Sequence, residues 1–177
     1  DALKAFRVGY APYGWDGLTK HLRQVGFNLR SAEAVGLIGE RKSGAKIDMV
    51  VLHYTGMWET EDAVKRLCTA GTDVSSHYIV LENGHIIQCV PESRRAWHAG
   101  QSSWAGETDV NSCSIGVEIV NRGHDWGYPE FPLRQIAAVI ALCRGIMLRR
   151  KVAPHRVLAH SDVAPARKKD PGEKFPW

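Results

Sequence analysis

Three side chains in this sequence stand where their neighbours give no ordinary reason for them. His53 closes the apolar run IDMVVLHY, Glu118 sits inside SIGVEIV, and His160 follows VLA and opens HSDVAPARKKDPG. A carboxylate in an apolar strand is costly to desolvate unless it has a partner or a task. Singly, each has an ordinary reading: a hydrogen-bonded histidine, a glutamate on a solvated face, an aspartate engaged in turn chemistry before Pro-Gly. Together they make a site. Two neutral imidazoles and one carboxylate are the ligand set of an open catalytic zinc, with the fourth tetrahedral position left for water. Such a set neutralises only one of the two metal charges, so a water there is strongly acidified. A nearby carboxylate such as Glu118 would accept its proton, and a cation such as Lys168 would stabilise a developing oxyanion.

The elements that must position these groups can be read from periodicity. IDMVVLHYT is a strand in which Val51 and His53 share one face while Val50, Leu52 and Tyr54 share the other. ETEDAVKRLCTAG reads as a short helix with acids in its first turn, apolar Val64 and Leu67, and Gly71 near its end. HYIVLENGHIIQCV reads as a hairpin turned at Asn83-Gly84, the pair a two-residue type I′ turn favours. SIGVEIVN is a further strand and VLAH a short last one, leading into a long loop. FPLRQIAAVIALCRGIMLRRK is the longest helix, entered through Pro132 and ending in Arg149, Arg150 and Lys151. Its expected buried stripe is Ile136, Val139, Ile140, Cys143 and Met147. The fold class is therefore α/β: one domain with a mixed central sheet flanked by helices, a β-hairpin, and a long C-terminal loop.

Composition narrows the function. The 177 residues are 44% hydrophobic and 24% charged, which suits one globular domain and excludes disordered and fibrous classes. A net charge of +4 favours an anionic polymer but falls short of a nucleic-acid signature. The longest apolar run, Ile136 to Cys143, is too short to span a bilayer. The sequence has no CxxC, HExxH, GxxxxGK[ST] or GxSxG, so zinc ribbons, helical metalloproteases, P-loops and serine-hydrolase elbows are unsupported. Cys68, Cys89, Cys113 and Cys143 are expected as small buried hydrophobes. Residues 1–46 form a lead-in in which Asp16 would cap a short helix carrying Leu18, His21, Leu22 and Val25. The polar stretch Glu40 to Lys46 sets a boundary with the domain at 47–177.

Five ordered blocks, VVLHYTGM, SSHYIVLENGHIIQCVPE, RRAWHAGQSSW, SIGVEIVNRG and HSDVAPARKKDPGEKFPW, closely resemble the zinc-dependent N-acetylmuramoyl-L-alanine amidases of the type 2 amidase family. Within it they are most similar to the AmpD/AmiD-type enzymes, with peptidoglycan recognition proteins as more distant kin. The resemblance runs from about Ile47 to Trp177. It implies one Zn²⁺ held by His53, His160 and Asp170, with Glu118 and Lys168 as catalytic residues. It implies cleavage of the amide between the lactyl group of N-acetylmuramic acid and L-alanine of the stem peptide. The substrate would be peptidoglycan or a soluble muropeptide, with no nucleic acid, no transmembrane segment and a monomeric protein. The motif wording favours the cell envelope (periplasm), with the cytoplasm as the alternative. WHAG lies along the family's groove, so Trp97 and His98 are candidates for sugar or stem-peptide contact. Arg94, Arg95 and Arg167 are candidates for meeting stem-peptide carboxylates, and His77 for supporting the ligands or the hairpin. His21, His85, His124 and His155 receive no role. Residues 1–46 do not match the family's short approach to the first strand, and their one expected role is a cap over the groove. The last motif ends at Trp177, and no separate wall-binding module is expected after it. Two other readings compete: a module that binds the wall without cutting it, and a zinc endopeptidase acting within the stem peptide.

Overall fold

The short apolar runs of the sequence meet in one sheet. The computed structural model describes residues 4–6, 37–69 and 71–177. Its strands are β1 (Lys4–Phe6), β2 (Met49–Tyr54), β3 (Tyr78–Val80), β4 (Ile86–Gln88), β5 (Ser114–Ile119) and β6 (Val157–Ala159), in the order β1-β4-β3-β5-β2-β6. β3, β5, β2 and β6 are parallel neighbours, while β4 runs antiparallel to β3 and to β1. The helices are α1 (Thr60–Cys68), α2 (Val110–Cys113), α3 (Leu133–Arg150) and α4 (His160–Val163). The mixed sheet expected from the sequence is thus present. The helix placed around Asp16 and the cap over the groove lie outside the described residues.

Alternation decides what each face of the sheet does. Val50 and Leu52 of β2, with Ile115, Val117 and Ile119 of β5, pack against Ala138, Val139, Leu142, Cys143 and Ile146 of α3. Each such buried aliphatic contributes about 1.5–3 kcal/mol relative to exposure. The buried stripe of α3 is centred on residues 135, 138, 139, 142, 143 and 146. Ile140, expected on that stripe, is 52% exposed, because the helix turns its neighbours Val139 and Leu142 onto the sheet instead. The helix ends where Lys151 adopts φ 57° and the Val152 N–H reaches Met147 O at 3.1 Å. Gln135, fully buried on α3, donates through Nε2 to the carbonyls of Val80 (3.1 Å) and Val120 (2.8 Å), satisfying groups at the ends of β3 and β5.

The opposite face carries two separate apolar clusters. Val64 and Leu67 of α1 pack with Ile79, Ile87 and Cys89. Met49 and Val51 pack with Ala99, Val110, Leu158 and Val163. Among the described cysteines, Cys89, Cys113 and Cys143 are buried free thiols and Cys68 is half-buried, its Sγ 3.7 Å from that of Cys89.

Two expectations about local structure change. The β3–β4 connection is not a two-residue type I′ turn: Gly84 has φ 85°, but Asn83 has no positive φ. The Gly84 N–H bonds Leu81 O and the Leu81 N–H bonds His85 O, both at 2.8 Å, giving a three-residue loop with a glycine bulge. Asn83 Oδ1 accepts the His85 N–H at 3.0 Å, which stabilises its negative-φ conformation. The stretch before Ile47 is also packed onto the domain: Leu37 is buried, and Gly39 pairs with Arg95 through two backbone bonds. Arg41 inserts its guanidinium against the carbonyls of Glu92, Asn111 and Ser112.

Buried Glu92 is paired as burial demands. Glu92, 6% exposed, accepts from Tyr78 Oη (2.7 Å), Arg149 Nε (2.9 Å) and Arg150 Nε (2.7 Å). This joins the C-terminal end of α3 to the hairpin segment.

Candidate metal centre

Ligands in open α/β sheets gather outside the carboxyl ends of the parallel strands. His53 is the penultimate residue of β2, Glu118 is its register partner on β5, and His160 directly follows β6. Strand alternation puts His53 and Glu118 on the face away from α3. They line a cleft of about 530 Å³ together with His98, His160, Lys168 and Asp170.

The donors converge closely. His53 Nδ1 lies 2.9 Å from His160 Nδ1 and 3.2 Å from Asp170 Oδ2, and His160 Nδ1 lies 2.9 Å from the same oxygen. All three residues are buried, and their donor atoms lie within 4.8 Å of one another. Ligand atoms about 2.0–2.1 Å from one tetrahedral ion stand about 3.3 Å apart, so this spacing and donor set fit a single zinc-like cation. Asp170 reaches the cluster because α4 turns the chain back: the Ser161 N–H bonds Asp170 O at 3.0 Å.

Each imidazole is held from behind. His160 Nε2 donates to the Ala99 carbonyl (3.1 Å), which leaves Nδ1 facing the cluster. His53 Nε2 lies 3.1 Å from His98 Nδ1, and His98 Nε2 lies 3.1 Å from Ser114 Oγ. The Ser114 hydroxyl donates to the Val110 carbonyl. His98 is therefore a buried support behind His53. Neither Ser114 nor the Ala99 carbonyl is singled out by sequence, since both act only through folded proximity. Gly116, a glycine inside a strand, is the one signal of close approach there.

Electrostatics suits ligand duty. Burial, and then neighbouring His160, pushes His53 down to about 4, so it is neutral near pH 7. Burial acts to raise Asp170, but the close approach of the His160 and then the His53 ring outweighs that and holds it below the usual carboxylate range. Burial, and then the charge of Asp170, pushes the Glu118 carboxyl up to about 8 against the opposing charge of Lys168.

The other expected residues are distributed as follows. Trp97 lines the cleft, partly exposed, with the Arg95 guanidinium 4.4 Å from its ring centroid. Arg95 itself is paired with Asp109 at 2.7 Å. Arg167 lines the cleft, but its guanidinium donates to the carbonyls of Ala99 and Gln101. Arg94 is not among the cleft-lining residues, and it pairs with Glu40 at 3.0 Å. His77 sits behind the sheet face, its Nδ1 accepting the Gly116 N–H (3.0 Å) and its Nε2 donating to Arg94 O (3.1 Å). Both its ring nitrogens are thereby committed within the protein. His124, given no role from sequence, lines the cleft, stacks on Tyr128 at 4.3 Å, and bonds Tyr54 Oη at 3.0 Å.

A mixed α/β sheet that gathers two imidazoles and a carboxylate at its strand ends, beside a half-buried glutamate, defines a domain organised around one candidate cation site. The family model described as N-acetylmuramoyl-L-alanine amidase matches residues 43–173, and the chain belongs to that family. The N-acetylmuramoyl-L-alanine amidase AmiD of Escherichia coli is 42% identical over 145 residues, 75% of this chain and 51% of that protein. The 1,6-anhydro-N-acetylmuramyl-L-alanine amidase AmpD of Citrobacter freundii is 38% identical over 105 residues, 59% of this chain and 54% of its own. The chain thus spans about half the length of these curated relatives. A solved complex of Escherichia coli AmiD with anhydro-N-acetylmuramic acid-L-Ala-D-γ-Glu-L-Lys superposes with a TM-score of 0.67 at 37% identity, over 80% of this chain and 63% of that one. No helix among the described residues is long and apolar enough to cross a membrane.

Proposed function

We propose that this protein is a zinc amidase that hydrolyses the bond between the lactyl group of N-acetylmuramic acid and L-alanine of the stem peptide. The observation that carries the reading is the meeting of His53 Nδ1, His160 Nδ1 and Asp170 Oδ2 in one cleft with Glu118, in a chain of this family. His53, His160 and Asp170 would hold the ion. When bound, zinc supplies Lewis acidity, bringing the pKa of a water towards about 7 and polarising a carbonyl. Glu118 takes the proton of the attacking water and delivers it to the leaving L-alanine amine. Its place in the cleft beside the three ligand residues puts it where both transfers occur. Lys168, which lines the same cleft, faces the developing oxyanion. Trp97, partly exposed in the cleft, is available to sugar or peptide, while His98 serves His53 and not the substrate.

The anhydro-muropeptide in the AmiD complex makes the same class of compound the first substrate to try here. Digestion of anhydro-muropeptides beside whole sacculi, read by mass spectrometry and end-group analysis, tests the proposal. An amidase frees an L-alanine amino terminus and leaves a lactyl carboxylate. Cleavage within the stem peptide, or binding without cleavage after zinc is supplied, overturns it.

A further inference from the structure

We propose that Ser114 and His98 are positioning residues that fix the tautomer of His53, and so set the affinity of the His53–His160–Asp170 cluster for a divalent cation. The inference rests on reading that cluster as a metal site.

The protons along this chain of groups can be counted. The Val110 carbonyl can only accept, so the single Ser114 hydroxyl proton goes to it. Ser114 Oγ must then accept from His98, which places the His98 proton on Nε2. His98 Nδ1 is left as a lone pair and accepts from His53 Nε2–H. Only in that order is His53 Nδ1 a lone pair, aimed at the point shared with His160 and Asp170.

The two ligand histidines differ here. His160 is fixed directly by a carbonyl, Ala99 O, and has no alternative. His53 is fixed through two groups that each both donate and accept, so its chain can be reversed. In the reversed order the Ser114 hydroxyl turns to His98 Nε2, His98 Nδ1–H donates to His53 Nε2, and His53 Nδ1–H donates to Asp170. No proton enters or leaves and no charge changes, yet the metal-facing lone pair is gone. In that reversal the Val110 carbonyl gives up its hydroxyl donor and keeps only the weaker Cys113 thiol at 3.5 Å among its side-chain donors, which biases the chain towards the ligand-ready order. Ser114 is fully buried and His98 is 7% exposed, so water does not readily replace either partner.

Ser114→Ala removes the group that anchors this order. Zinc affinity, measured by competition with a chromogenic chelator, should fall about 10–100-fold, the usual consequence of losing an outer-shell partner. ¹⁵N spectra of the metal-free protein should show His53 shifting to the Nδ1–H tautomer while His160 remains Nε2–H. His98→Phe keeps the ring volume, deletes both nitrogens, and should lose affinity to a similar degree. It also carries the test if Ser114→Ala does not fold. A folded variant of either kind with wild-type zinc affinity, or with unchanged His53 and weakened zinc, overturns the relay. A wild-type protein that binds no divalent cation overturns the metal reading itself.

Discussion

The ring of His98 occupies the space that a side chain on Gly116 would need: a Cβ built at residue 116 would lie 2.4 Å from the imidazole. The strand at this position is otherwise closely packed, flanked by Val51 on β2. Gly116→Ala should therefore push His98 off His53, costing about 1–3 kcal/mol from overpacking. A thermal melt together with zinc titration checks this, and both readouts should fall.

Glu118 contributes no donor atom to the cluster of His53, His160 and Asp170. Glu118→Gln should keep zinc binding near wild type while lowering amide turnover by about 10²–10⁴-fold. Metal analysis beside a muropeptide assay separates the two effects, and turnover near wild type would remove Glu118 from the assigned role.

The raised pKa of Glu118 has a consequence for the metal-free protein. Its carboxyl binds a proton more tightly in the folded chain, where it titrates near 8, than at its ordinary 4.5. The stabilisation is therefore full below about pH 4.5 and is lost as pH rises through about 8, by linkage. Chelator-treated wild type should lose a few kcal/mol over that interval through this group. Denaturant titrations at several pH values should show a flatter profile for Glu118→Gln.

Glu92 makes a contrasting case, because its partners are structural. Glu92→Gln should destabilise the fold by about 1–3 kcal/mol. The cost stays below that of a fully buried pair because the Arg149 and Arg150 side chains are 43% and 34% exposed. Urea unfolding measures the loss, and zinc affinity should not change.

The central framework was readable because its signals are local. Alternation across MVVLHY and SIGVEI is enough to set His53 and Glu118 on one face, and the register of β2 with β5 brings them side by side. The convergence of Asp170 was readable only through family resemblance, since it depends on α4 folding the C-terminal segment back. Other features depend on contacts distant in sequence. The Ser114–His98 support needs β5 and the 97–99 segment to meet, and Arg94 faces Glu40 because residues 37–46 lie against the domain. The Asn-Gly pair correctly marked a turn, but an Asn83 side-chain bond selected a different turn geometry.

His160 and Asp170 lie ten residues apart, whereas His53 is 107 positions before His160. A cation shared by all three would act as a clasp between the sheet's interior and the tail of the chain, closing a very long loop. Catalytic competence and the anchoring of that tail would then rise and fall together. Loss of the ion would loosen the segment carrying Lys168 before it disturbed the strands beneath.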